Sequence, residues 1–353
     1  MKGTLVTLEV DSGALATNPL GDPSRRPVHV YVPPGGARGR PAAYFLHGFT
    51  GSGPGWLLGG PFGPSVPERL DALVAAGEVP PLAGVFIDGR TALGGTQWID
   101  APAVGRYQSY VADDVVALVE RELGTSPRRE ARAVLGKSSG GYGTLAMVRD
   151  RSATFAHAAC HAGDAFFEYA YLGDLPKAAG ALLAAGGDLA GWLEGMKQRA
   201  REAKLRPDDI PVVNVFAMAA NYASGGLVPR LRPAARAYAR DERTEEIGDM
   251  LEAVLPFDPE TARPRDDVWA RWLEHDPVRF VPRSLAAFRA LETCYVDCGT
   301  RDEFNLRWGA RMVVAALRAG GVEVVHEEFE DGHMGIDYRY AASLRVLGRK
   351  LRP

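Results

Sequence analysis

The sequence predicts an α/β protein, with a mostly parallel sheet, helices on both faces and a helical insertion. Short apolar runs rich in β-branched residues alternate with runs of helical periodicity. Two of the strand-like runs end in glycine-rich turns, and from about Asp164 to Asp276 the alternation gives way to helical sequence. Strands that alternate with helices usually form parallel sheets that are buried on both faces.

The first half of the chain contains most of the predicted sheet. Strands are predicted at Thr4–Val10, Val28–Val32, Ala42–Leu46, Ala83–Ile87, Ala131–Leu135 and Ala156–Cys160. The first two are separated by a turn-rich stretch and are expected to pair antiparallel. Helices are predicted at Ser65–Ala76, at Tyr107–Leu123 and from the turn after the fifth strand to about Arg149.

The second half begins with the helical insertion and then returns to the alternating pattern. Its predicted helices are Ala178–Ala185, Leu189–Lys204 and Arg236–Val254. A strand at Cys294–Cys298, a helix at Leu306–Ala319, a strand at Val322–Phe329 and a helix from about Tyr338 follow. We therefore expect one domain over residues 1–353, with residues 164–276, approximately, forming a helical cap.

Composition excludes several classes of protein. The 353 residues carry a net charge of −3 without a long basic run, so neither nucleic acid nor an anionic membrane is an expected partner. No stretch approaches the ~18 consecutive apolar residues that a membrane-spanning helix needs. The first residues do not resemble a signal segment. We therefore expect a soluble, cytoplasmic protein. Three cysteines (Cys160, Cys294, Cys298) indicate neither a disulfide framework nor a zinc site. Homo-oligomerisation is left open.

The strongest motif is GKSSG at Gly136–Gly140, which fits the G-x-S-x-G pattern of a nucleophile elbow between a strand and a helix. The turn is sharp, so the neighbours of the nucleophile must be small. The helix N-terminus adds free N–H groups and positive potential where an oxyanion develops. Ser138 is the predicted nucleophile, and the backbone N–H of Ser139 is a predicted oxyanion donor. The alternative is a glycine-rich turn with a chance serine.

A serine nucleophile needs a base with a pKa near the working pH, and histidine meets that need. His333 follows the last predicted strand, as the order serine, acid, histidine requires; the alternative is a histidine that caps its loop. Asp302 lies beyond the end of the preceding strand, where it can reach His333. Asp297, the competing acid, lies inside that strand and is expected to hydrogen-bond the loop.

A second glycine-rich turn, HGFTG at His47–Gly51, follows the third predicted strand. Hydrolases with a nucleophile elbow take their other oxyanion donor from a loop at this place. The backbone N–H of Phe49 or Thr50 is therefore the predicted donor, while the side chain of His47 is expected to hold the loop. The alternative is a glycine-rich turn without a catalytic role.

These segments together resemble the putative esterase family of α/β hydrolases. That family includes esterase D (S-formylglutathione hydrolase), enterochelin esterases, feruloyl esterases and mycolyl transferases of the antigen 85 type. The resemblance rests on Phe45–Gly51, Gly136–Gly141, Asp297–Phe304, Gly332-His333 and the N-terminal stretches Asn18–Pro23 and Val30–Pro34. It covers most of the chain outside the insertion. It implies an α/β-hydrolase fold and a serine mechanism, whereas the long insertion departs from the compact members of the family.

Substrate contacts are expected near the carboxyl ends of the strands, where ligands bind in such sheets. The candidates are Trp98, Tyr142, His161 and Phe166. For each of them the alternative is packing in the core or the cap. Asp164 and Glu168 could favour a cationic or polar substrate, but they are expected to be exposed carboxylates.

The predicted function is hydrolysis of carboxylic esters, with a small-molecule substrate, through an acyl-enzyme and with no metal and no cofactor required. A thioester hydrolase or an acyltransferase would use the same residues. A noncatalytic protein that keeps the fold would be expected to have a broken triad, yet Ser138, Asp302 and His333 occur in order. A cysteine or metal hydrolase is disfavoured because the elbow holds no cysteine and the sequence shows no ligand cluster.

Overall fold

The structure is a computed structural model that describes residues 1–60, 63–223 and 254–352. Within these residues, eight strands form one sheet in the order β1-β2-β4-β3-β7-β8-β9-β10. They are β1 (Thr4–Asp11), β2 (Arg25–Val32), β3 (Ala42–Leu46), β4 (Ala83–Ile87), β7 (Arg132–Lys137), β8 (His157–His161), β9 (Thr293–Gly299) and β10 (Val324–Phe329). A separate small hairpin consists of β5 (Asp100–Ala101) and β6 (Gly105–Arg106).

The direction of the strands brings the predicted functional loops to one edge of the sheet. β1 and β2 pair antiparallel, as predicted, and β2 is antiparallel to β4. All other neighbours in the sheet are parallel. The carboxyl ends of β3, β7, β8, β9 and β10 therefore lie at the same edge, and the loops that follow them lie close together.

Helices flank the sheet in the predicted alternation. They are α1 (Val66–Ala75), α2 (Tyr107–Ser109), α3 (Val116–Leu123), α4 (Ser139–Asp150), α5 (Phe167–Ala170), α6 (Leu175–Ala184), α7 (Leu189–Arg201), α8 (Asp209–Tyr222), α9 (Asp266–Glu274), α10 (Pro277–Arg283), α11 (Leu285–Arg289), α12 (Leu306–Ala319) and α13 (Arg339–Gly348). A π-helical turn at Tyr110–Val115 joins α2 to α3, so the helix predicted at Tyr107–Leu123 is continuous but not uniformly α-helical.

The core lies on both faces of the sheet because successive side chains of a strand point to opposite sides. In β3, Tyr44 and Leu46 belong to one buried apolar cluster and Ala43 and Phe45 to another. Helices α3, α4 and α12 pack in the first cluster, and α1 and α13 pack in the second. This arrangement of a mostly parallel sheet between helices confirms the predicted fold class.

The insertion lies between β8 and β9 in the chain, and its described part is helical. The helix predicted at Ala178–Ala185 is α6, which begins at Leu175. The helix predicted at Leu189–Lys204 is α7, which ends at Arg201. The helix predicted at Arg236–Val254 lies outside the described residues except for Val254. No helix in the ranges that the structure describes is long and apolar enough to cross a membrane.

Candidate active site

The elbow turn holds Ser138 in an unusual backbone conformation. Ser138 lies between β7 and α4 with φ 58° and ψ −126°, and positive φ is uncommon for a residue with a side chain. A Cβ on Gly136 would lie 2.4 Å from the carbonyl group of Gly140, and a Cβ on Gly140 would lie 1.9 Å from the carbonyl oxygen of Leu46. Both glycines are therefore required by the close approach of β3, β7 and α4 at this turn.

The loops after β9 and β10 bring Asp302 and His333 together. Asp302 Oδ2 lies 2.8 Å from Nδ1 of His333, and both side chains are buried. The backbone N–H of His333 donates to Glu303, and its ring packs edge-on against Phe304 at a centroid distance of 4.8 Å. Oδ1 of Asp302 accepts from the N–H groups of Phe304 and Leu306 at 3.0 and 3.2 Å. Because Nδ1 donates to the carboxylate, Nε2 carries the lone pair of a neutral His333.

Asp297 has a different set of partners. Its carboxylate lies 2.7 Å from Nδ1 of His161, and it accepts from the Tyr295 hydroxyl and from Nε of Arg339, each at 2.9 Å. Burial alone would raise the pKa of Asp297, but the adjacent His161 and Arg339 hold it below its ordinary value. The expectation that Asp297 hydrogen-bonds the loop is wrong, since a carboxylate buried within the sheet needs partners from β8, β9 and α13.

The loop after β3 lies directly beside Ser138. A Cβ on Gly48 would lie 3.1 Å from Cβ of Ser138. Phe49 and Thr50 follow, and Thr50 adopts a positive φ of 64°. Phe49, Thr50, Ser138 and Ser139 all line one cavity, and Ser139 is the first residue of α4.

His47 and Asp88 fix this loop. Nε2 of His47 accepts the N–H of Gly89 at 2.8 Å, so Nδ1 carries the proton and donates to the carbonyl of Gly48, also at 2.8 Å. Burial lowers the pKa of His47, which keeps the ring neutral. Oδ2 of Asp88 accepts the N–H of Gly53 at 2.8 Å. The side chain of His47 thus holds the loop, as the sequence suggested.

Two cavities meet at Ser138, and both are lined by Phe49, Thr50, Ser138, His333 and Met334. The loop-side cavity has a volume of about 260 Å³, and its further walls include the His47–Ser52 loop, Trp56, Lys137, Asp337 and Tyr340. The insert-side cavity has a volume of about 200 Å³, and its further walls include Ser139, Asp164, Tyr171, Ile210, Asn214 and Phe304. A substrate whose reacting carbon lies at Ser138 can therefore extend in two directions.

Asp164 lies at the junction of the insertion and the elbow. Its carboxylate accepts from the Tyr171 hydroxyl at 2.8 Å, from Ser139 Oγ at 3.4 Å and from Ser138 Oγ at 3.5 Å. Burial raises its pKa, although Tyr171 and the nearby His333 oppose the increase. The expectation of an exposed carboxylate is wrong here, since Asp164 is 7% exposed. Glu168, the other acid of that expectation, pairs with Arg279.

The hydroxyl of Ser138 makes its hydrogen bond with Asp164 and makes none with His333 in the part of the chain that the structure describes. Both side chains line the same two cavities. Contacts between nucleophile and base are often long or poorly aligned without substrate and tighten in the complex. The geometry therefore presents a histidine–carboxylate pair, a strained serine and two candidate oxyanion donors around one point.

The four residues expected to contact substrate do not line either cavity. These are Trp98, Tyr142, His161 and Phe166. Trp98 is buried and its Nε1 donates to the carbonyl of His47, and His161 is enclosed between Asp297 and Ser343. Tyr142 packs against aromatic rings of the insertion, and Phe166 packs against Tyr169. Trp98, Tyr142 and His161 are fully buried, so their side chains pack in the interior and do not face the cavities.

Sequence reasoning missed Lys137, Gln97 and Tyr171. Lys137 occupies the variable position of the motif directly before Ser138, so the turn that positions Ser138 also carries Lys137 to the cavity. The amide of Gln97 donates to Ser139 Oγ at 2.8 Å, and Tyr171 reaches Asp164 from the insertion. The elbow motif was a signal for Lys137, whereas no local pattern marked the other two.

Comparisons with known proteins agree with this architecture. Solved structures of similar fold include a ferulic acid esterase (17% identity, 99% of both chains covered, TM-score 0.59). They also include an S-formylglutathione hydrolase from Agrobacterium tumefaciens (15% identity, 99% of this chain and 96% of that one, TM-score 0.54). A third is the fluorophosphonate-binding serine hydrolase F of Staphylococcus aureus (12% identity, 99% of both chains, TM-score 0.54). At these identities the likeness shows the fold.

A search of curated protein sequences finds no match to the chain. The family described as "Putative esterase" matches residues 23–335, which include both glycine-rich turns and the loops of Asp302 and His333. Because that match spans most of the sequence, the chain belongs to this family and is an esterase with an α/β-hydrolase fold.

Proposed function

We propose that this esterase hydrolyses small carboxylic esters through an acyl-enzyme intermediate on Ser138, with His333 as the base and Asp302 as its partner. The observation that carries the proposal is the 2.8 Å contact between Asp302 Oδ2 and Nδ1 of His333, beside two cavities that His333 shares with Ser138. A buried carboxylate in this position fixes the tautomer of the imidazole and stabilises the imidazolium that forms on proton transfer.

The reaction would proceed in two halves at one serine. Nε2 of His333 takes the hydroxyl proton as Ser138 Oγ attacks the acyl carbonyl, and the imidazolium then protonates the leaving alcohol. In the second half, His333 takes a proton from water as the water attacks the acyl-enzyme. The bond between Ser138 Oγ and the acyl carbon then breaks, the imidazolium returns the proton to Ser138 Oγ, and the acid is released. The same base serves both halves, so loss of His333 or Ser138 should abolish turnover.

The oxyanion of each tetrahedral intermediate would be held by backbone N–H groups. Ser139 is the first residue of α4, and the first N–H groups of a helix have no intrahelical acceptor. The helix N-terminus also favours negative charge. The loop of Phe49 and Thr50 lines the same cavities as Ser138 and would supply the second donor.

The dimensions of the site favour short acyl groups. The cavities of about 260 and 200 Å³ are each smaller than the roughly 300–1,000 Å³ of typical ligand sites. In this proposal the insert-side cavity, whose walls include Ile210 and Phe304, takes the acyl group, and the loop-side cavity takes the leaving group. Acetyl and butyryl esters are therefore expected to react faster than dodecanoyl esters.

The test is a series of p-nitrophenyl esters from acetate to dodecanoate, assayed with the wild type, Ser138→Ala and a control, Ser152→Ala. Ser152 lies in the loop that follows the C-terminal end of α4, whereas the elbow is at the N-terminal end of that helix. A fluorophosphonate probe is added in parallel, and the adduct is detected by intact mass and located by peptide mapping, which separates Ser138 from Ser139. We expect turnover and adduct in the wild type and the control, and neither in Ser138→Ala.

Two results would overturn the proposal. Ester turnover that persists in a folded Ser138→Ala variant would show that another group is the nucleophile. A wild type that neither hydrolyses the esters nor forms the adduct would show that the site does not carry out this chemistry.

A further inference from the structure

The loop-side cavity contains a lysine that the proposed triad does not use. Lys137 is the last residue of β7 and directly precedes the nucleophile. Its side chain is half-buried and lines the same cavity as Ser138 and His333. A residue in that position is held as firmly as the elbow itself, because β7 is a central strand of the sheet.

Among the described residues, the ammonium group of Lys137 has no partner of its own. Within the described ranges it forms neither a hydrogen bond nor an ion pair. The negative charges that act on this ammonium group are those of Asp302, Glu303 and Asp337. Asp302 and Glu303 already accept hydrogen bonds from His333, and Asp337 is exposed to solvent.

Burial outweighs these acids, because the pKa of Lys137 is lowered although all three would raise it. Charged groups removed from water are normally paired, since the loss of hydration otherwise opposes the charged form. The cation of Lys137 is therefore left under-compensated in a cavity that opens beside the reacting serine. An anion in that cavity would supply the missing partner.

We propose that Lys137 binds a carboxylate on the leaving group, so that the enzyme prefers esters whose alcohol carries a carboxylate within the loop-side cavity. This inference rests on the proposed function. A single lysine matches one negative charge, whereas a phosphate dianion usually needs several donors or an arginine fork. The three acids nearby would further oppose a dianion. The acyl side is unsuited to an anion, because Asp164 and Asp174 line the insert-side cavity.

The test compares two matched pairs of acetate esters. The anionic members are 3- and 4-carboxyphenyl acetate, and the neutral members are their methyl esters. Each is assayed with the wild type, Lys137→Met, Lys137→Arg and the control Lys204→Met, which removes an exposed lysine paired with Glu202. The ratio of kcat/KM for the anionic ester to that for the neutral ester is compared between variants, so differences in leaving-group reactivity cancel.

We expect Lys137→Met to lower this ratio about tenfold or more for at least one of the two pairs, the size typical of a lost charge-assisted hydrogen bond. Lys137→Arg should retain most of the ratio, and Lys204→Met should leave it unchanged. Raising the salt concentration should lower the ratio in the wild type but not in Lys137→Met.

A second measurement does not depend on the folding of a variant. Hydrolysis of p-nitrophenyl acetate by the wild type is inhibited with 3- or 4-hydroxybenzoate and, separately, with their methyl esters. We expect tighter competitive inhibition by the anion of at least one pair, weakening with salt. Equal or tighter inhibition by both neutral esters would overturn the inference.

The remaining outcomes separate this inference from the proposed function. If Lys137→Met lowers kcat/KM equally for anionic and neutral esters, Lys137 acts on the triad and does not bind a carboxylate. If neutral esters are hydrolysed in a Ser138-dependent manner without an anion effect, only the inference fails. If Ser138→Ala retains the activity of the wild type, the proposed function fails, and the inference fails with it.

Discussion

Replacing Asp302 with asparagine should abolish catalysis while leaving the fold intact. Oδ1 of Asp302 accepts from the N–H groups of Phe304 and Leu306 at 3.0 and 3.2 Å, and the amide oxygen of asparagine can keep both bonds. Oδ2, at 2.8 Å from Nδ1 of His333, would be replaced by an NH₂ group. That group donates and cannot accept, so the proton of His333 would move to Nε2, which then has no lone pair to take the proton of Ser138.

The expected loss in kcat is about 10⁴-fold, the size that a wrong histidine tautomer produces in serine hydrolases. At 1.36 kcal/mol per factor of ten, this is about 5.4 kcal/mol of transition-state stabilisation. The free energy of unfolding should fall by only about 1–3 kcal/mol, for the loss of one buried hydrogen bond. Activity is measured with p-nitrophenyl acetate at neutral pH, and stability by urea unfolding.

The control is Asp331→Asn on the loop that carries His333. Its carboxylate accepts from the N–H of Gly332 and from the Tyr338 hydroxyl, so kcat should change by about twofold or less. The competing acid is tested with Asp297→Asn, which weakens a buried ion pair with Arg339 and should lower stability more than activity. The assignment would be refuted by a folded Asp302→Asn enzyme with near wild-type kcat alongside an inactive, folded Asp297→Asn enzyme.

Two further predictions concern the elbow and the buried acid beside it. Gly140→Ala would place Cβ 1.9 Å from the carbonyl oxygen of Leu46; it should cost about 1–3 kcal/mol of stability and abolish fluorophosphonate labelling. Gly180→Ala, at an exposed position of α6 where a Cβ meets nothing within 4 Å, should stabilise the protein by about 0.5–1 kcal/mol. Comparable urea midpoints for the two variants would contradict this reasoning. Asp164 has a pKa raised above 3.8 by burial, so the native state binds more protons than the unfolded chain, and stability falls as pH rises through that raised pKa. Asp164→Asn should therefore gain stability relative to the wild type between about pH 4 and pH 7, and a pH-independent difference in unfolding free energy would contradict this.

The sequence identified local features well because each has a local physical cause. The alternation of β3 and β7 with helices follows from apolar periodicity, and the elbow is visible because its turn admits only glycine at positions 136 and 140. The choice of Asp302 over Asp297 followed from their positions after and within a strand. The structure places Asp302 next to His333, as that reasoning expected.

The residues predicted to contact substrate do not line the two cavities, for a reason that is not local. The reasoning used the positions of Trp98, Tyr142 and His161 near strand ends. The position of a residue near a strand end does not show which other segments pack over its side chain. The insertion buries Tyr142 under aromatic rings, and Asp297 and Ser343 enclose His161. Sequence periodicity describes which face of an element is apolar, and not which distant segment packs against it.

The sequence by itself determined the fold class, the family and the order of the serine, acid and histidine, because these depend on turn geometry and strand order. Only the tertiary structure decided which side chains face the two cavities, since burial and charge compensation depend on residues far apart in the chain. Asp164 is buried because Tyr171 and Gln97 surround it. In the described part of the chain Lys137 lacks a partner, because the acids near it are engaged with His333 or exposed. The burial of a charged group and the charges around it depend on residues that are close in space but distant in the sequence.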